Sequence, residues 1–202
     1  MSAVATRNSL LIEFLSEELP PINLEENIGS AFSDSVYQQL SGFLTKDGTC
    51  IEFVSPRRFG CLIDGIVYEQ SDQRQLRKGP AIATGLQDGN PTPALLGFAK
   101  SCGVDWQELE QRADGYFYAE SVIKGKNLTS VLNDVINNAL KKIQIAKAMR
   151  WGDRSYQFVR PLHNLVVMFN GAVINCEAMG LSASNTTSGH RFMCRSQSKL
   201  NR

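Results

Sequence analysis

Apolar positions run almost unbroken from Leu10 to Leu15, with Glu13 the exception, and Pro20-Pro21 follows. A run this short reads as a strand that ends before the prolines. From Glu25 to Leu44 the spacing changes: Ile28, Ala31, Phe32, Val36, Leu40 and Phe43 recur with helical periodicity. Glu25 and Glu26 occupy the first turn, where negative charge favours the helix dipole, and Gly48 closes the segment. Cys50 to Val54 and Cys61 to Tyr68 read as strands, with Pro56-Arg57-Arg58-Phe59-Gly60 turning between them. The expected result is a hairpin with two arginines at its tip.

Residues 69–91 are polar and broken by Gly79-Pro80 and Asn90-Pro91, so they read as a long connection. Thr92 is the expected N-cap and Pro93 the first residue of a short helix to about Cys102, and a second helical turn is expected over Trp106 to Gln111. Tyr116 to Ile123 is aromatic and β-branched and reads as a strand. The clearest helix is predicted from Leu128 to about Met149. Its apolar stripe is Leu128, Val131, Leu132, Val135, Ile136, Ala139, Leu140 and Ile143, with Asn127 as N-cap and Gly152 as stop. Leu165 to Phe169 and Ala172 to Ala178 read as strands joined at Asn170-Gly171, a strong hairpin signal. The Ser-rich residues 180–202 read as loop. Strands and helices are mixed without regular βαβ alternation. The predicted class is α+β, a mixed or mainly antiparallel sheet packed with a few helices. Residues 1–180 form the expected α+β region, with 69–125 as a candidate insertion and a loop over 181–202.

The chain is almost neutral, at +1 over 202 residues, but the charge is unevenly placed. Residues 1–56 carry −6 and residues 141–202 carry +8. A basic end suits either a polyanion or an acidic partner surface, and an ordinary solvated face is the plain alternative. No apolar run reaches membrane-spanning length, and the first residues lack a signal-peptide pattern. The five cysteines are odd in number and none are spaced as Cys-x-x-Cys, so they read as reduced, mostly buried thiols rather than metal ligands. Phosphate-loop, dinucleotide-turn, zinc-protease and nucleophile-elbow signatures are all missing.

Several residues allow a functional and a plain reading. Arg57 and Arg58 suit a phosphate clamp, or a salt bridge to Glu17-Glu18 or to another subunit. Glu13, if it faces inward, needs a partner, and an arginine is the natural one. Glu17 and Glu18 read as a solvated strand end. Lys78 sits with Arg74 and Arg77 in what reads as a basic loop. Arg150, Trp151, Arg154, Tyr156 and Arg160 interleave cations with aromatics, as single-stranded or acceptor-end RNA would require, although Trp151 and Phe158 equally suit core packing. His163 reads as structural, and His190-Arg191 as exposed and the better histidine candidate for a contact.

Seven blocks stand in order along the chain: Leu11-Ile12-Glu13-Phe14-Leu15-Ser16-Glu17-Glu18-Leu19-Pro20, Pro56-Arg57-Arg58, Lys78-Gly79-Pro80, Gly97-Phe98-Ala99, Met149-Arg150-Trp151-Gly152, Arg160-Pro161-Leu162-His163 and Ser188-Gly189-His190-Arg191-Phe192. The series resembles the N-terminal region of the beta subunit of bacterial heterotetrameric glycyl-tRNA synthetase. The resemblance implies an N-terminal fragment of a longer cytoplasmic chain, leading into downstream domains. It implies partnership with the alpha subunit and with tRNA(Gly), with ATP and Mg2+ bound by alpha and no cofactor or catalytic residue in this stretch. Arg57, Arg58, Lys78, Arg150, Arg160, His190 and Arg191 become the expected RNA-binding or interface residues. The alternative is a purely structural assembly module without direct RNA contact.

Overall fold

The computed structural model describes residues 8–21, 24–87, 89–145, 147–152, 156–189 and 197–200. The chain divides into two units, Met1–Gln70 with Lys126–Arg202, and Ser71–Gly125.

The first unit opens with β1 (Ser9–Ser16), a π-helical turn (Glu25–Ser30) running into α1 (Ala31–Gln39), then β2 (Leu44–Ser55) and β3 (Arg58–Ile66). The second unit holds β4 (Gln73–Ala81), α2 (Pro93–Cys102), β5 (Glu110–Gln111) and β6 (Tyr116–Ile123). The chain returns to the first unit with α3 (Leu128–Lys142), β7 (Leu162–Phe169), β8 (Ala172–Val173), β9 (Glu177–Ala178), β10 (Leu181–Ser184), β11 (Thr186–Ser188) and β12 (Gln197–Lys199).

Among the described residues the main sheet has the order β9-β10-β7-β1-β3-β2, with β8 on β7. All pairs are antiparallel except β7 with β10. One face packs on α1 and α3. Leu10, Ile12 and Phe14 of β1 point there, every second residue as the pleat requires, and all are 0% exposed. An aromatic cluster holds this face: Phe14 stacks on Phe59 at 5.2 Å and meets Phe32 edge-on at 5.8 Å, while Phe158 lies 5.8 Å from Phe59. Each such ring contributes about 1.5–3 kcal/mol by leaving water. Leu132, Ile136 and Leu140 of α3 complete the layer. Gly60 lets β3 come this close to β1, because a Cβ there would run into the Ile12 carbonyl and lie 2.7 Å from the Phe53 ring.

The second unit is smaller. Its sheet has the order β4-β6-β5, and its core is Leu95, Ala99, Leu109, Phe117 and Ala119. Pro93 starts α2 and Gly103, at φ +74°, ends it in the left-handed conformation. Thr92 stands at the N-cap position, but its hydroxyl donates to the carbonyls of Thr84 and Gly85 rather than capping.

The α+β class is the one expected, and β6 spans the predicted residues. Asn170 and Gly171 form the expected turn, both with positive φ, which matches the twist of a tight hairpin. The side chain of Asn127 accepts from the Ser130 N–H and caps α3 as expected. Four expectations are corrected. Residues 73–81 form β4 rather than open connection, held by antiparallel pairing to β6. α3 ends at Lys142, not near Met149, and Met149–Arg150 instead pairs with Gln157–Phe158. The Ser-rich segment after 180 contributes β10 to the main sheet and β11 to a hairpin with β12. Finally, Ser55 pairs with Arg58, so only Pro56 and Arg57 form the hairpin tip.

Candidate functional site

The hairpin correction separates Arg57 from Arg58. Arg58 begins β3 on the face opposite the helices, in register with Leu15. Its NH1 lies 3.0 Å from Glu13 Oε2, and its NH2 donates to the Ser188 carbonyl at 2.6 Å. Glu13 is 6% exposed, and its second oxygen accepts from the Thr187 hydroxyl. The arginine expected for Glu13 is therefore Arg58. Both carboxylate oxygens are occupied, which is what a buried charge requires. The network ties β1, β3 and β11 together across 174 residues of sequence between Glu13 and Thr187.

Arg57 stays at the tip. It lies 3.6 Å from Glu17 Oε2, with both side chains about 40% exposed. Glu17 also meets His163 Nε2 at 3.0 Å on its other oxygen. Arg160 donates through Nε to the Glu18 carbonyl at 2.9 Å and through NH1 to the Val159 carbonyl at 3.2 Å. Backbone bonds close this corner, from Leu19 to Pro56, Ser16 to Arg57 and Glu17 to Pro161. An open cleft of about 910 Å³ lies here, lined by Leu19, Pro20, Leu24, Val54, Arg57 and Arg160 among others. Three of the blocks noted in sequence thus meet at one end of the main sheet. The end of the first block, Ser16 to Pro20, the hairpin tip and Arg160-Pro161 are brought together by β1 lying between β3 and β7.

Lys78 lies elsewhere, on β4 of the second unit. Its Nζ is 3.4 Å from the centre of the Tyr116 ring and 3.6 Å from Asp114 Oδ2. Its expected place in a mobile basic loop is corrected: Lys78 pairs with Tyr118 in the β4–β6 ladder. Tyr118 donates to Asp114 Oδ2 at 2.7 Å, and Arg112 lies 4.9 Å over the Tyr118 ring. The Tyr118 hydroxyl above all holds the Asp114 carboxyl below the ordinary aspartate range; desolvation opposes it, and the Tyr116 N–H and Lys78 add to the lowering. The same bond raises the Tyr118 hydroxyl. Sequence reading missed Asp114, Tyr116 and Tyr118 as partners of Lys78. Their alternation along a strand beside polar β4 was the available signal.

Arg150 is exposed on its two-residue strand. Trp151 donates through Nε1 to the Phe158 carbonyl at 3.0 Å, and Phe158 is fully buried. Phe158 therefore belongs to the core, and Trp151 is half-buried and tied to its backbone. His190, Arg191 and Arg154 lie outside the described residues. Cys50, Cys61, Cys102 and Cys176 are free thiols. Cys61 hydrogen-bonds Cys50, which lowers Cys50 and raises Cys61, while burial pushes Cys176 up to about 11. Among the described residues no His, Cys, Asp or Glu cluster is arranged to hold a metal ion. No described helix is long and apolar enough to cross a membrane.

Residues 10–202 match the family described as glycyl-tRNA synthetase beta subunit. The chain belongs to that family. It is 42% identical over 194 residues to the glycine–tRNA ligase beta subunit of Neisseria gonorrhoeae (strain NCCP11945), covering 93% of this chain and 28% of that protein. The beta subunit of Pseudomonas savastanoi pv. phaseolicola is 38% identical, over 90% of this chain and 26% of its own length. That of Colwellia psychrerythraea is 35% identical, over 93% and 28%. The chain thus spans just over a quarter of the length of the beta subunits it matches.

Proposed function

We propose that this chain is the N-terminal part of a cytoplasmic glycine–tRNA ligase beta chain. In this reading it helps position tRNA(Gly) and joins the catalytic alpha subunit for ATP-dependent glycylation of tRNA. The observation that carries the proposal is membership of the beta-subunit family across residues 10–202. Its contribution is positioning rather than bond-making. ATP and Mg2+ belong to the alpha subunit, and no residue of this chain is assigned to either.

The tRNA contact is assigned to the basic last third, where residues 141–202 carry +8. Of the described candidates Arg57, Arg58, Lys78, Arg150 and Arg160, Arg150 is the best placed: it is exposed, and no described residue takes its guanidinium in an ion pair. Arginine on such a surface meets phosphate through its planar fork. Arg57, Arg58, Lys78 and Arg160 are each engaged within the chain. That engagement favours the second reading for those four, in which they shape a surface for subunit assembly.

Labelled tRNA(Gly) titrated with the chain at low and moderate salt, with and without alpha, separates the two. Salt-sensitive binding by this chain alone is the expected result for direct RNA contact. Complex formation with alpha and no RNA binding by the chain alone would leave the assembly role only.

A further inference from the structure

The helices cover one face of the main sheet. On the other face, ladder register aligns five apolar residues in a single row: Ile51 on β2, Leu62 on β3, Leu11 on β1, Met168 on β7 and Val173 on β8. At about 4.8 Å per strand the row runs roughly 19 Å across the sheet. Its ends are open, Ile51 at 56% and Val173 at 38% exposure; Leu11 and Leu62 between them are only partly buried, and Met168 alone is buried, at 5%. Phe53, one row away on the same strand face as Ile51, is also only partly buried. A sheet face meant for water alternates polar residues into such positions. A row of aliphatic side chains across five strands marks a surface that something covers.

The neighbouring row indicates what. There Phe53, Gly60, Glu13 and Val166 align, and β11 is fastened to this row through Thr187 on Glu13 and to the row beyond it through Ser188 on Arg58. The C-terminal part of the described chain is thus already seated on this face, one row from the apolar strip. The beta subunits matched here are more than three times as long as this chain. We infer that the apolar row Ile51–Leu62–Leu11–Met168–Val173 is the seat of beta-chain sequence that follows position 202 in the full-length protein, packed against the sheet as a second layer. The inference rests on the reading that this chain is the N-terminal part of a longer beta chain.

The test uses the full-length beta chain together with alpha. Ile51→p-benzoylphenylalanine is irradiated and the cross-linked peptides are identified by mass spectrometry. The expected product is an intrachain link to a peptide beyond position 202. Links only to the alpha subunit, only to a second beta chain, or to nothing would overturn the inference. A second measurement uses the pair Ile51→Glu and Val173→Glu, both at exposed positions. In the 202-residue chain the pair is expected to leave Tm unchanged; in the full-length chain it is expected to lower Tm by several degrees. Equal shifts in both would sink the idea. Neither readout depends on glycylation. A full-length chain that supports glycylation but gives no such link loses this inference alone, and one that gives the link but supports no glycylation loses the functional reading alone.

Discussion

In the first unit Arg58 meets Glu13 at 3.0 Å, where the glutamate side chain is 7% exposed; in the second, Lys78 meets Asp114 at 3.6 Å with both side chains about half exposed. Each is a cation beside one carboxylate on an antiparallel sheet. Burial makes the difference. The Glu13 carboxylate has given up its water and depends on Arg58 and Thr187 to replace it, whereas Asp114 keeps solvent and Lys78 gains little from the pair. The same motif is therefore a structural tie in one unit and an adaptable surface feature in the other.

The cores of the two units differ in the same direction, and this gives the largest expected effect. Phe14→Ala opens a cavity among Phe32, Phe59 and their neighbours, and is expected to cost about 3–5 kcal/mol in urea unfolding. Phe117→Ala should be felt in the small second core, and hydrogen exchange is expected to show lost protection confined to residues 71–125. Loss of protection spread evenly over both units would contradict their separate cores.

Next in size is the buried tie. Arg58→Met leaves Glu13 without its cation and is expected to cost about 3 kcal/mol, while Glu13→Leu added to it should restore most of that loss. Urea midpoints of the single and double variants measure it. Asn127→Ala removes the α3 cap and is expected to cost about 1 kcal/mol by the same measurement.

The smallest effect concerns the exposed pair. The Asp114 carboxyl titrates below its ordinary value, so any stabilisation it gives is present above that ordinary value and is lost as pH falls through the lowered one. Tyr118→Phe removes the first cause of the lowering. An NMR titration should show the Asp114 midpoint moving up while Tm at neutral pH stays unchanged. A midpoint that does not move would remove the hydrogen bond from the account.

Much of the fold could be read from local pattern. β1, the β2–β3 hairpin, α1, α3 with its cap, and β6 all carry their own periodicity or turn chemistry. Glu13 announced an inward charge and its need for an arginine, because it interrupts an apolar run. β4 did not announce itself. Gln73, Arg74, Gln75, Arg77 and Lys78 leave little apolar alternation, and the strand exists because Tyr116–Ile123 offers it a ladder. β10 was hidden for a similar reason: Ser182 and Ser184 read as loop, and only the distant β7 makes them a strand. α3 stops early although Ala146 to Met149 continue a helix-compatible composition, because Met149–Arg150 pairs with Gln157–Phe158 instead. The site divides the same way. Arg58 and Glu13 were legible as types of residue, but Thr187 and Ser188 could not be assigned to them from spacing.

Arg58 is committed to the buried tie with Glu13, and Arg150 is exposed and left to meet RNA. Binding of labelled tRNA(Gly) across a salt series tests it, comparing the folded Glu13→Leu/Arg58→Met variant with Arg150→Gln. The double variant is expected to bind as the parent does, while Arg150→Gln binds more weakly and its salt slope falls by about one. A folded double variant that loses binding, beside an Arg150→Gln that keeps it, would place the RNA contact on Arg58 instead.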